Sequence, residues 1–221
     1  MNYSRLAPFY QCIERCTMGS ALQRARTGQL DRLAAMTQPQ RVLIVGEGDG
    51  SFLLQFARLF PTAHITVVEP SAGMVARAQA RLRRAGLASE RIAFRQEPLL
   101  EAELPEAAYD LIVTLFFLDN FEDALMRASV AKLNACACDS AYWLLSDFCL
   151  PSRGWRRLRA RFWLRVLYGF FGLSAGLSAR VLPDFERAVQ ATEFCEVHRH
   201  GLCGSLLFSA LYRMPARVMT V

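Results

Sequence analysis

Lysine is almost absent from this chain: Lys132 stands alone against 25 arginines. Histidine is scarce too, with only His64, His198 and His200, and none is an obvious catalytic base. The cysteines do not compensate as metal ligands. Cys12 and Cys16 at i, i+4 and the pair Cys136-x-Cys138 lack the second pair and the histidines that zinc spacing requires, so no metal is expected and these side chains read as packing residues. A positively charged leader with a small-residue cleavage site is missing near the N-terminus, and seven cysteines is an odd number for a disulfide framework. A reducing, cytoplasmic setting is expected.

Long apolar runs are missing as well. The stretch from Phe162 to Ala179 carries Arg165, three glycines and two serines, short of the roughly 20 apolar residues a spanning helix needs. With 53% hydrophobic and 21% charged residues, the chain is too apolar for disorder. No internal repeat, low-complexity tract or linker divides it. A single domain over 1–221 is expected, with a helical cap at 1–38, a core at 41–151, an acceptor-side lid at 152–192 and closing strands at 193–221.

The net charge of +6 is concentrated. Residues 151–180 hold seven arginines and no acid, so the basicity belongs to one segment and not to the surface at large. That argues against a nucleic-acid partner, and the arginine skew is open to a genomic explanation.

Along the chain, residues 5–36 look helical and are followed by the breaker Gln38-Pro39-Gln40 and the apolar run Arg41–Val45, a buried strand. Ser51 begins a helical pattern with Phe52, Leu53, Phe56, Leu59 and Phe60 on one face. The β-branched run His64–Glu69 reads as a second strand, and Ser71 as the N-cap of the next helix. Further strands are expected at Arg91–Arg95, Tyr109–Leu115 and Ser140–Ser146, with a helix over 122–133 between the last two. Repeated strand–helix alternation implies a doubly wound, mostly parallel α/β sheet. After Pro151 come a long helical segment, a short helix near 183–192, and runs at Cys195–His200 and Leu206–Arg213. The last two suit an antiparallel hairpin turning at Gly201–Gly204.

The first strand ends in Gly46-Glu47-Gly48-Asp49-Gly50-Ser51 and leads directly into a helix, a context that lets backbone approach a nucleotide-like ligand. Glu69, 19 residues past Gly50, ends the second strand, where a carboxylate can accept both hydroxyls of a ribose; an acid facing a helix dipole is the plainer use. Dinucleotide folds use G-x-G-x-x-G with pyrophosphate at the helix N-terminus. Here the glycines fall at 46, 48 and 50, and two acids stand inside the loop, repulsive to pyrophosphate but tolerable beside a sulfonium and an amino group.

The motifs Val42–Gly50 and Val68-Glu69-Pro70-Ser71-Ala72-Gly73-Met74, with Tyr109–Phe121 and Leu144–Pro151, resemble the class I S-adenosylmethionine-dependent methyltransferases, in particular small bacterial ones acting on small molecules. The resemblance implies a seven-stranded Rossmann-like sheet with an antiparallel C-terminal hairpin, and S-adenosylmethionine as cofactor. It places the methionine part on Gly46, Glu47, Gly48 and Gly50, the ribose on Glu69 beside Pro70, and the adenine on Met74, which ordinary core packing would equally explain. Leu115 and Phe116 would line the sulfonium region. Two departures stand out: Ile44 occupies a position often acidic in the family, and Glu97 or Pro98 falls where an acid meets the adenine amino group. Arg26, 20 residues before Gly46, could face the cofactor carboxylate as a bidentate partner or lie on the surface.

Methyl transfer is an in-line displacement, so positioning supplies most of the catalysis and a base is needed only for a protic acceptor. Asp119 and Asp147, each following a strand end, are the candidate bases; caps or loop acids are their plainer reading. The segment from Trp155 to Phe171, including Tyr168, interleaves aromatics with arginines, and with Tyr3, Phe9 and Tyr10 could line an aromatic lid over a small hydrophobic acceptor. Peripheral membrane contact through 153–171, RNA binding through its basic-aromatic interleaving and a solvated arginine face on a core-packed helix compete with that use. An NAD(P)-binding oxidoreductase and a non-catalytic cofactor-binding protein are the alternatives in function.

Overall fold

The computed structural model describes residues 20–87, 90–149, 184–204 and 206–216. Two helices come first, α1 (Ser20–Thr27) and α2 (Leu30–Met36). Then β1 (Arg41–Val45), α3 (Ser51–Leu59), β2 (His64–Val68), α4 (Ala72–Arg84) and β3 (Ile92–Arg95) alternate. β4 (Tyr109–Leu115), a 3-10 turn at Leu118–Asn120, α5 (Asp123–Cys136) and β5 (Ala137–Phe148) follow, and α6 (Phe185–Gln190), β6 (Cys195–Leu202) and β7 (Leu207–Arg213) close the chain.

These strands form one seven-stranded sheet in the order β3-β2-β1-β4-β5-β7-β6. β1 pairs in parallel with β2 and β4, β4 in parallel with β5, and β7 runs antiparallel between β5 and β6. The strand order reverses between β1 and β4, and in open α/β sheets such a switch point leaves a crevice at the carboxyl ends of the strands.

Strand alternation divides the core into two layers. Leu43, Ile112, Trp143, Leu145 and Phe208 pack with Met126, Val130 and Leu133 of α5 and Phe185 and Val189 of α6. Val42, Ile44, Val67, Val113 and Leu144 pack with Leu33 of α2, Phe52, Leu53 and Phe56 of α3, and Leu82 of α4. Apolar side chains on both faces of β1 and β4 are the reason these runs read as continuous rather than alternating hydrophobicity. Trp143 is fully buried, and its Nε1–H donates to Thr114 Oγ1 at 2.9 Å.

Several boundaries differ from the sequence reading. The helical pattern over 5–36 breaks at Gly28 and Gln29, because buried Gln29 is drawn to the sheet, where Nε2 donates to Ser209 O at 3.0 Å and meets His198 Nδ1 at 2.9 Å. Leu59 is 38% exposed, not part of the buried face, since the chain leaves helical geometry at Phe60 and that ring fills the core instead. α5 runs to Cys136 and β5 begins at Ala137 without a loop. β6 continues through Leu202, so the hairpin turns on Cys203 and Gly204, both at positive φ. Among the described residues no helix is long and apolar enough to cross a membrane.

Candidate functional site

The loop after β1 is held open by its glycines. Gly48 has φ +71°, and a Cβ built there would meet nothing within 4 Å, so the backbone face at this point fronts empty space. Gly50, at φ +83°, is constrained from the opposite side: a Cβ would lie 2.6 Å from Ala78 Cα of α4. The loop is thus pressed against α4 behind and bare in front.

The acids inside and beside this loop are arranged differently from one another. Asp49 is turned away from the open face. Its Oδ1 accepts Ser51 N–H at 3.1 Å and Ser51 Oγ–H at 2.7 Å, while Arg81 Nη2 binds Oδ2 at 2.7 Å and Arg81 Nε donates to its carbonyl at 3.1 Å. The charge that argued against pyrophosphate is therefore largely answered within the protein. Glu69 is buried at the end of β2, with Oε2 accepting Gly48 N–H at 3.1 Å and Oε1 accepting Ser71 N–H at 3.0 Å. Burial raises its pKa, and these two N–H groups oppose the rise. Each oxygen keeps a further lone pair for an incoming hydroxyl.

Glu47 points down onto α3, where Oε1 accepts Leu53 N–H at 2.9 Å. Its Oε2 is shut off from solvent and has no hydrogen-bond partner. Burial pushes this carboxyl up to about 8, against the pull of the Leu53 N–H and of Arg26. Arg26 comes to the site from α1, with its guanidinium carbon 5.3 Å from the centre of the Phe116 ring.

Across the switch point, β4 ends in an irregular turn. Phe116 adopts φ +55°, uncommon for a bulky residue, while its N–H donates to Ser146 O of β5 at 2.7 Å. Asn120 Nδ2 ties the turn together through Phe116 O at 2.9 Å and Phe117 O at 3.1 Å, and also reaches Asp119 Oδ1 at 3.0 Å. Backbone strain of this kind gathers at ligand sites.

Asp119 sits in the 3-10 turn, 6% exposed, and Asp147 lies inside β5, fully buried, not in a loop beyond it. Asp147 Oδ1 accepts Phe148 N–H at 2.8 Å, and Oδ2 is buried with no partner. Burial pushes Asp119 up to about 7. It holds Asp147 well above the carboxylate range, and the charge of Asp119 adds to the effect. Burial and the neighbouring negative charge both favour the protonated form of Asp147.

The remaining candidates are scattered. Met74 is buried in the first turn of α4, where Ser71 Oγ caps its N–H at 3.4 Å. Leu115 is core, and Phe116 packs edge-on to Phe148 with centroids 5.3 Å apart. Pro70 and Pro98 are exposed, and Glu97 is engaged by Arg95 at 3.5 Å. Tyr3, Tyr10, Trp155 and Tyr168 lie outside the described residues, as do Phe9, Cys12 and Cys16. Among the described residues, no three His, Cys, Asp or Glu side chains converge on a metal site.

Sequence reasoning passed over Arg81, Asn120 and Phe117. Arg81 reaches the loop from a separate helix, and no local pattern marks it. Phe117 packs under Gly46, where a Cβ would stand 2.7 Å from the ring, and two adjacent phenylalanines after a strand were the available signal.

Comparison with known proteins agrees with this geometry. A family model described as a methyltransferase domain matches residues 42–137, the stretch from β1 to the start of β5. An uncharacterized methyltransferase of Mycobacterium tuberculosis (strain ATCC 25618 / H37Rv) is 31% identical over 149 residues, spanning 67% of this chain and 66% of the relative, just under two thirds of its length. Among solved structures, the N-methyltransferase NodS from Bradyrhizobium japonicum WM9, in complex with S-adenosyl-L-homocysteine, shares 20% identity. It superimposes with a TM-score of 0.63 over 93% of this chain and 98% of its own. The mitomycin 7-O-methyltransferase MmcR gives a TM-score of 0.69 at 16% identity, over 97% of this chain and 61% of its own. Sequence relatives and fold lead to the same place: the chain carries a methyltransferase domain and has the fold of the class I S-adenosylmethionine-dependent methyltransferases.

Proposed function

We propose that this protein transfers a methyl group from S-adenosylmethionine to an oxygen, nitrogen or carbon atom of a small hydrophobic or aromatic acceptor. The observation that carries the reading is the pairing of an open glycine face with an anchored ribose acid: nothing lies in front of Gly48, and Glu69 binds the N–H of that same residue. The residues present fit the cofactor. Glu69 keeps lone pairs for two hydroxyls, Arg26 offers a guanidinium suited to a carboxylate, and Gly46–Gly50 supply backbone where a Cβ would intrude. When bound, S-adenosylmethionine supplies an electrophilic methyl on a sulfonium.

The chain's own part is positioning and proton handling. The strained turn at Phe116 and the Asn120 clamp fix the β4 side of the crevice, which preorganises it for an aligned acceptor. Asp119, with its carboxyl near 7, is poised to take a proton from a hydroxyl or amine acceptor, and Asp147 positions it. The aromatic composition of 155–171 supports an apolar acceptor and a lid over 152–192. A peripheral membrane contact through that segment is its competing use, which vesicle sedimentation tests. The free cysteines Cys136, Cys138, Cys149, Cys195 and Cys203 support a reducing, cytoplasmic setting.

Parallel calorimetric titrations with S-adenosylmethionine, S-adenosylhomocysteine and NADH test the proposal. Binding of the first two at micromolar concentration with none of NADH is expected; NADH binding alone would overturn it in favour of an oxidoreductase. Cofactor binding without turnover across an acceptor screen would favour a non-catalytic role.

A further inference from the structure

Ile44, in the position where similar methyltransferases often carry an acid, is 1% exposed and packs in the core between α2 and α3. It offers nothing polar to a ligand. The loop that follows supplies an acid in another way. Glu47 is fixed at the N-terminus of α3 by the Leu53 N–H, and its second oxygen is buried without a partner. Buried polar oxygens in folded proteins nearly always find a donor, so a lone one inside a ligand loop calls for a donor that arrives with the ligand.

The charged groups around Glu47 narrow the identity of that donor. Arg26 faces it from α1, Asp49 from within the loop and Glu69 from the end of β2. Asp49 is engaged by Arg81, and Glu69 by Gly48 and Ser71. Glu47 is left as the carboxyl with an oxygen still to be matched, in a setting of mostly negative neighbours that favours a cation.

We propose that Glu47 receives the α-ammonium group at the methionine end of the cofactor and gives up its own proton in exchange, so that cofactor loading is coupled to proton release. The inference rests on the S-adenosylmethionine reading above. The exchange balances: the O–H bond of the Glu47 acid breaks, its proton leaves to solvent, and the ammonium takes its place with no net change of charge in the loop. Burial that lifts the free carboxyl to about 8 keeps it mostly protonated at pH 7, and an ammonium beside it favours the ionised form. Affinity for the amino-acid-bearing ligand therefore rises with pH, by up to about tenfold per unit below pH 8. In the free protein the neutral acid avoids an unpaired charge among Asp49 and Glu69.

Calorimetric titration of the full chain at pH 7 in two buffers of different ionisation enthalpy, phosphate and Tris, reads the proton directly. S-adenosylhomocysteine should release about one proton on binding, and 5′-methylthioadenosine, which lacks the amino-acid end, should release none. In Glu47→Gln, whose amide oxygen can still accept from Leu53, the release should vanish. Affinity for S-adenosylhomocysteine should fall at least about tenfold at pH 7.5, with affinity for 5′-methylthioadenosine unchanged. Should that variant fail to fold, the two-ligand difference in the unaltered protein decides the matter. Binding of S-adenosylhomocysteine without proton release, or with the same release in Glu47→Gln, would overturn the proposal and leave the cofactor assignment standing. Failure of both nucleosides to bind at any pH would overturn the cofactor assignment and the proposal together.

Discussion

At the β1–β2 end of the sheet, Asp49 and Glu69 each meet donors on both carboxylate oxygens. At the β4–β5 end, the charge of Asp119 acts on buried Asp147, whose Oδ2 has no hydrogen-bond partner. Backbone N–H groups and Arg81 hold the first pair in place, which suits acids that bind hydroxyls or brace a loop without changing protonation. The second pair is desolvated and mutually repulsive, which suits acids that hold and pass a proton. Glu47 stands between the two regimes, with one oxygen satisfied and one not.

The sharpest way to break this division is at the binding end. Gly48→Arg fills the open face, so S-adenosylhomocysteine affinity should fall by at least about 100-fold, or about 2.7 kcal/mol, with far-UV circular dichroism retained; unchanged affinity would displace the cofactor from this loop. At the other end, Asp119→Asn should lower methyl-transfer kcat on a protic acceptor by roughly 10²–10⁴-fold while S-adenosylhomocysteine affinity holds. An unaltered rate would confine Asp119 to a structural role.

Stability should also separate the two ends. Asp119, Asp147 and Glu47 have folded pKa values raised by burial, to about 7 for Asp119 and about 8 for Glu47, above the ordinary range near 4. The folded state therefore binds more protons than the unfolded state across that window, so the stability these groups lend is full below about pH 4 and lost as pH rises toward 7–8. Scanning calorimetry from pH 5 to 9 should show Tm falling from this contribution. Asp147→Asn, whose amide oxygen can still accept from Phe148 and which carries no charge to desolvate, should raise Tm most at the alkaline end; a variant equally shifted at every pH would contradict the raised Asp147 pKa. The smallest effect is expected at Ser71→Ala, which removes the α4 cap and should cost about 1 kcal/mol in chemical denaturation, with kcat unmoved.

Much of the sheet was legible because its strands are short apolar or β-branched runs punctuated by Gly and Pro. Tyr109–Leu115 and Arg41–Val45 match residue for residue. Where tertiary contacts took over, as at Gln29, Leu59 and the α5–β5 junction, local pattern misplaced the boundaries. At the site, Gly48, Gly50 and Glu69 were readable from strand-to-helix context. Arg81 was not, since a side chain reaching the loop from another helix leaves no periodic trace. Nor was the influence of Asp119 on Asp147, which arises because the turn after β4 lies beside β5.

The sequence by itself determined the alternation of elements, the loop that needs glycine and the acid that ends β2, because dihedral freedom, side-chain periodicity and strand length are local properties. Only the tertiary structure decided which acids are satisfied and which are left wanting. Hydrogen-bond pairing and desolvation depend on partners from distant parts of the chain: Leu53 and Arg26 around Glu47, Arg81 on Asp49, and Asp119 over Asp147.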